Sequence, residues 1–168
     1  MPFVAFSLGS NLGDRESNID SMERQLRCIL DDARSSPLME TEPVGVIGPQ
    51  PPYLNRILTG YYEGYPALLL AACLYVEGVC GRVRETPKGP RTADVDILLF
   101  GDQEVNETVM AWTLVIPHPE LLNRRFCLEG LARIDPQIVV PGPGGGRTVG
   151  ELFENMPAGV AAQNVFFV

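Results

Sequence analysis

The sequence predicts an α+β fold on the ferredoxin-like plan, a mostly antiparallel central sheet with helices packed on its faces. Short apolar runs of strand length, bounded by Gly and Pro, alternate with two longer segments of helical periodicity in the order β-α-β-β-α-β. Neither a repeat nor a linker interrupts that order, so residues 1–168 read as a single domain. At 45% hydrophobic residues, the chain has enough apolar side chains for a substantial core.

FVAFSLG opens the chain as a strand of bulky apolar residues ended by Gly9. After SNLGDRES, Ile19, Met22, Leu26, Ile29 and Leu30 recur at helical spacing opposite Glu23, Arg24 and Arg27, predicting a helix that ends near Asp32. SSPLMETEPVG reads as a second strand ending at Pro43 and Gly45, and VIGPQPP as a loop too rich in Pro and Gly for regular structure. YLNRILTGYY alternates like a strand. Pro66 to Cys80 reads as a helix whose first turn holds Pro, where a missing amide proton costs nothing. Arg82 to Pro90 is a polar loop and Ala93 to Phe100 a strand. EVNETVMAWTLVIP is a further strand or hairpin, and HPELLNRRFCLEGLARIDP two short helical pieces. PGPGGGRT is a flexible turn, VGELFENM a short helix and NVFFV a closing strand.

Several function classes are excluded early. Cys28, Cys73, Cys80 and Cys127 show no CxxC spacing and the chain has 1 histidine, which argues against a zinc site or disulfide framework and for reduced thiols. A net charge of −8 leaves no global basic field for nucleic acid. The apolar stretch ALLLAACLYV is stopped by Glu77, too short to span a bilayer, and MPFVAFSLGS lacks the basic segment of a signal peptide. A cytoplasmic protein without a membrane partner is expected. GxxxxGK[ST], GxGxxG and GxSxG are all missing, so neither a Walker loop, a dinucleotide fold nor a serine nucleophile is indicated.

The chemistry concentrates in GPRTADVDI. Residues two apart in a strand share a face, so Asp94 and Asp96 project together, with Cβ atoms about 7 Å apart, while Val95 points the other way. Two carboxylates so placed repel unless cations bridge them. Hard divalent ions suit the pair, Mg²⁺ above all, because Mg²⁺ keeps part of its coordination for water or substrate phosphates. Two solvated aspartates at a strand start would give the same pattern. The arginines weigh against that: Arg82, Arg84 and Arg91 flank the pair, and Arg124 and Arg125 follow downstream. A guanidinium fork matches phosphate oxygens, and beside metal-ligating carboxylates it makes a mixed site for a polyphosphate and its cations. Any one arginine could instead serve an ordinary surface ion pair. The LGSNLGDR turn, alone, reads as a structural strand-to-helix connection.

FSLGSNLGDR, ETEPVG, PPYLNRI, GRVRE, GPRTADVDILLFG and IPHPELLNRRF, in that order from Phe3 to about Pro141, resemble the hydroxymethyldihydropterin pyrophosphokinase family of folate biosynthesis. GPRTxDxDIxLFG with PHxxxxNRxF is the specific part. The resemblance implies a compact three-layer α/β/α monomer that transfers pyrophosphate from ATP to the hydroxymethyl group of a reduced pterin, releasing AMP. It implies that Asp94 and Asp96 hold two Mg²⁺ ions and that Arg82 and Arg91 contact the phosphates and support transfer. Glu77, Arg84, Arg91, His118 and Arg124 fall on the nucleotide side, with Ile97 by the adenine. Thr41, Val44, Tyr53, Asn55 and Phe126 fall in the pterin pocket, where Asn55 can pair with the ring's amide-like edge and the aromatics can enclose its flat face. Core packing is the plainer role for Tyr53 and Phe126.

The chain departs from the family pattern at Lys88, which stands before Gly89 where an aromatic is usual, in a loop one residue shorter. Thr113 stands where an arginine often reaches the ATP, and Pro119 follows His118 where an aromatic is common. A second reading, from another class, is a catalytically silent pterin- or nucleotide-binding protein of the same fold; Asp94, Asp96, Arg82 and Arg91 argue against it. A third is a Mg²⁺-dependent transferase for another planar hydroxymethyl heterocycle, against which Tyr53, Asn55 and Phe126 argue.

Overall fold

A computed structural model describes residues 1–84 and 87–168. Part of the polar loop expected from Arg82 to Pro90, at Glu85 and Thr86, lies outside the described residues. The chain runs β1 (Phe3–Ser10), α1 (Arg15–Arg27), β2 (Asp31–Ser35), β3 (Met39–Thr41), β4 (Tyr53–Tyr61), α2 (Pro66–Val79) and β5 (Asp94–Phe100). It continues through β6 (Val105–Val109), β7 (Trp112–Ile116), α3 (Arg125–Ile134), β8 (Val139–Val140), β9 (Arg147–Thr148), α4 (Val149–Glu154), α5 (Ala158–Ala161) and β10 (Val165–Phe167).

The main sheet has the order β10-β3-β4-β1-β5, with β2 also on β4, and every pairing in it is antiparallel. α1 carries the chain from β1 past β4 to β2 and β3, and α2 carries it from β4 past β1 to β5. Such crossovers share one hand, which puts both helices on one face. Val4, Phe6 and Leu8 of β1 pack there against Ile19, Met22 and Leu26 of α1 and Leu69 and Cys73 of α2. Ala5, alternating with them, faces a second core with Ile57, Leu99 and the α3 residues Cys127, Leu128 and Leu131. Helices on both faces of a mostly antiparallel sheet make the expected three-layer α/β/α plan.

Three expectations need correcting. α1 ends at Arg27, not near Asp32: its last turn tightens, with the Cys28 amide donating to Gln25 O at 3.2 Å and the Ile29 amide to Leu26 O at 3.0 Å, and Ile29 is exposed. Asp31–Ser35 is a strand that the sequence does not announce, because DDARS has no apolar alternation. Arg27 holds it by donating to Ala33 O at 2.8 Å and Ser35 Oγ at 2.7 Å. β2 and β3 lie end to end along β4, and Ser36 bridges the break before Pro37: its amide donates to Ile57 O and its Oγ accepts the Ile57 amide, both at 2.9 Å. PGPGGGRT, expected as a flexible turn, contains a 3-10 turn over Gly142–Gly144 and leads into β9. The glycines supply the left-handed backbone at 142, 145 and 146 that closes β8 on β9.

One irregularity matters for the site. β5 bulges at Leu98, where the register with β1 shifts between Ala5 and Phe6. Leu98 and Leu99 thereby both reach the α3-side core, while Ile97 and Phe100 stay on the other. The Leu98 carbonyl accepts the His118 amide at 2.9 Å, so the bulge fixes where the segment after β7 meets β5. The β6–β7 hairpin packs Leu114 and Ile116 into the α1/α2-side core.

Candidate active site

The small residues of β1 make a floor. Cross-strand partners share a face, so one row reads Phe167, Met39, Asn55, Gly9, Asp94 over five strands and the next reads Ile57, Ser7, Asp96. Above the Gly9 end of these rows lies an open cavity of about 640 Å³. Gly9 keeps the floor low: a Cβ there would meet Asn55 Oδ1 at 3.4 Å, Tyr53 Cδ1 at 3.7 Å and Asp94 Cβ at 3.8 Å.

At one side of the floor stand the aspartates. Val95 is buried among the α1/α2-side apolar residues, as strand alternation requires, while Asp94 and Asp96 line the cavity. Asp94 Oδ1 accepts Arg82 Nη1 at 2.5 Å and its Oδ2 accepts Arg91 Nη1 at 3.0 Å. Asp96 Oδ2 accepts Arg124 Nη1 at 3.1 Å, and Oδ1 lies 3.6 Å from His118 Nε2. The Glu120 amide donates to His118 Nδ1 at 3.1 Å, which leaves Nε2 as the protonated nitrogen facing the aspartate. Burial pushes the Asp96 carboxyl up, but His118 and Arg124 more than offset it and hold the group well below the usual carboxylate range.

Behind this pair sits Glu77, 4% exposed at the end of α2. Its Oε1 accepts the outward amide of Val95 at 2.8 Å and Arg82 at 2.7 Å; Oε2 accepts Arg84 at 2.5 Å. The edge strand's amide is thus satisfied, and Arg82 is aligned on Asp94 by the same carboxylate. Burial raises the Glu77 carboxyl above its ordinary value, partly countered by Val95 and Arg82. Arg84 also lies over the Trp112 ring, 4.3 Å from its centre.

Asn11, 1% exposed, joins two loops. Its amide donates to Arg91 O at 3.1 Å and its Oδ1 accepts the Arg91 amide at 2.9 Å. Its Nδ2 donates to Gln50 Oε1 at 3.1 Å and Pro51 O at 3.2 Å, and Gln50 donates to Lys88 O at 2.7 Å. The arginine beside Asp94 and the loop bearing Val44 are therefore tied to one buried amide. Lys88 lines the cavity, so the shortened loop reaches its rim.

On the far side of Gly9, Asn55 Nδ2 donates to Thr41 Oγ1 at 2.8 Å. Tyr53, Phe126 and the exposed Val44 complete this side, with burial raising the Tyr53 phenol and keeping it neutral. The cavity thus gathers Thr41, Val44, Tyr53, Asn55, Arg91, Asp94, Asp96, Arg124 and Phe126 from the residues marked in the sequence. Arg82, Glu77, Arg84 and His118 stand behind the lining. Ile97, 5% exposed, packs its side chain into the opposite core and keeps only its backbone at the edge of the sheet. Sequence reasoning passed over Asn11, whose LGSN turn was visible but whose partners lie far along the chain. It also passed over Gln163, Asn164 and Val165, which line the cavity and belong to no motif.

Fold and site define a ferredoxin-like α/β/α protein with paired carboxylates and arginines facing a polar-aromatic recess. The family model for 7,8-dihydro-6-hydroxymethylpterin-pyrophosphokinase (HPPK) matches residues 5–136. The chain belongs to that family. It is 37% identical over 138 residues to the Bacillus subtilis (strain 168) 2-amino-4-hydroxy-6-hydroxymethyldihydropteridine pyrophosphokinase, covering 79% of this chain and 77% of that one. The Methylorubrum extorquens protein of the same name is 35% identical over 157 residues, covering 91% and 93%. The Pneumocystis carinii folic acid synthesis protein fol1 is 34% identical over 139 residues, which span 82% of this chain but 18% of that longer one. A crystal structure of Plasmodium falciparum HPPK-DHPS superposes with a TM-score of 0.68 at 14% identity, covering 91% of this chain and 44% of that one; this likeness concerns the fold.

Proposed function

We propose that this chain transfers the pyrophosphoryl group of ATP to the hydroxymethyl group of 6-hydroxymethyl-7,8-dihydropterin, giving AMP and the pterin diphosphate in folate biosynthesis, as a cytoplasmic monomer. The observation that carries the reading is the single cavity in which Asp94, Asp96, Arg91 and Arg124 face Asn55, Tyr53 and Phe126 across Gly9. Measuring AMP release from ATP with and without the reduced pterin tests it. Pterin-dependent AMP supports the enzyme; ligand binding without AMP supports a silent binding protein.

The donor chemistry fits Mg²⁺. Asp94 and Asp96 line one cavity with Arg91 and Arg124, which suits an ion that takes one or two carboxylates and completes its shell with water and phosphate oxygens. Asp94 and Asp96 would hold two such ions. Bound there, Mg²⁺ would neutralise phosphate charge and polarise the phosphoryl oxygens.

The chain's own groups do the rest. The pterin hydroxyl attacks the β-phosphorus in line and gives up its proton to solvent, the bond from that phosphorus to the α–β bridging oxygen breaks, and AMP leaves. Positioning and charge neutralisation dominate such transfers. Arg91 and Arg124, paired with the aspartates in the free chain, can turn to phosphate oxygens as those carboxylates are taken up. Arg82 stays clamped between Glu77 and Asp94 and supports the transfer from behind. Asp96, which lines the cavity beside Asp94, is assigned ligation. Thr41, Asn55, Tyr53, Val44 and Phe126 orient the pterin; Glu77, Arg84, His118 and the Ile97 backbone shape the nucleotide side.

A further inference from the structure

The cavity wall opposite β5 comes from residues 162–165, beyond the family match that ends at residue 136. Two sets of contacts set it in place. β10 pairs with β3, placing Val165 opposite Thr41, and Thr41 opposite Tyr53, so Val165 extends the row that carries two residues of the pterin side. At the other end, Gln163 serves the start of α3. Arg124 precedes that helix and makes no side-chain cap, since a guanidinium only donates; its own is turned to Asp96. The orphan amide of Arg125 donates instead to Gln163 Oε1 at 3.0 Å, and Gln163 Nε2 donates to Asn123 O at 2.7 Å. Arg125 returns the contact, donating to Ala161 O at 2.8 Å.

Between these two anchors Asn164 is exposed and lines the cavity that Asn55 also lines, where one Asn55 amide N–H is used on Thr41. We propose that residues 162–165 form the wall that sets specificity for the flat heterocycle, with Asn164 a binding residue for its polar edge and Gln163 a positioning residue that holds wall and α3 together. An amide offers both a donor and an acceptor, which matches a fused ring bearing amide-like N–H and C=O groups. The assignment rests on the pterin reading above.

The test is calorimetry of the reduced pterin in the presence of a non-hydrolysable ATP analogue, on the parent, Asn164→Ala, Gln163→Ala and Gln163→Glu. Asn164→Ala is expected to weaken pterin binding about five- to tenfold, the weight of one hydrogen bond, with the analogue's Kd unchanged. Gln163→Ala should weaken the pterin as well, and Gln163→Glu, which keeps an acceptor for the Arg125 amide, should recover part of the loss. A parent that binds pterin, with variants that bind it equally well, overturns the wall and leaves the substrate reading intact. Equal loss of both ligands reduces the segment to a structural prop and also overturns it. A parent that binds the analogue but no pterin overturns the substrate reading, and the wall with it.

Discussion

Asn55 and Asp94 are both in register with Gly9, one on each side of β1, so an amide and a carboxylate face each other over a residue with no side chain. That gap joins the recess at Asn55 to the charged end at Asp94. Gly9→Ala should be tolerated, since its Cβ makes ordinary contacts, the nearest 3.4 Å from Asn55 Oδ1. Gly9→Val should narrow the floor and weaken pterin binding by about 1–3 kcal/mol, the usual scale of overpacking. Titration of the pterin into both variants checks this, and unchanged affinity in Gly9→Val would remove Gly9 from the floor of the site.

Asp94→Ala and Asp96→Ala are each expected to cut AMP formation by more than about a hundredfold at saturating Mg²⁺. Their circular dichroism should stay that of the parent, because both side chains face the cavity rather than a core. Near-normal turnover in either variant would end the metal assignment.

Arg91→Ala should lower kcat by about 10²–10³, the scale of losing one donor to a developing charge, while the pterin Kd changes little. Arg82→Ala should also act on kcat more than on the pterin, through Asp94, since Arg82 stands behind the cavity lining. Loss of pterin affinity alone, read by calorimetry, would move both residues to the substrate pocket.

Glu23 gives the fold a pH dependence. Burial raises its carboxyl, but hydrogen bonds from Ser35, Arg27 and Arg56 more than offset that and hold it below its ordinary 4.5. A folded value below the unfolded one means that the ionised form favours the fold above about 4.5 and that this contribution is lost as pH falls through the native value. The Tm gap between the parent and Glu23→Gln should therefore be widest near neutrality and shrink below pH ~4.5. A gap independent of pH would contradict the assignment.

The aspartate pair was legible because a strand's period of two fixes which side chains travel together, and Val95 between them is apolar. The α1 helix was legible in Ile19, Met22 and Leu26, which its buried face uses. β2 was not, because Asp31–Ser35 is held by Arg27 and by pairing with β4 rather than by any pattern of its own. Asn11 showed a turn motif and no hint of its reach, since its partners are 40 and 80 residues away in sequence. The wall at 162–165 is legible only after β10 has paired with β3.

The most direct measurement is the product distribution when equimolar ATP and 6-hydroxymethyl-7,8-dihydropterin react with the protein and Mg²⁺, read by phosphorus NMR. Attack at the β-phosphorus yields AMP and a pterin diphosphate in equal amounts, and neither product without the pterin. ADP with a pterin monophosphate, or pterin-independent phosphate release, would contradict a cavity built to pass two phosphates across Gly9.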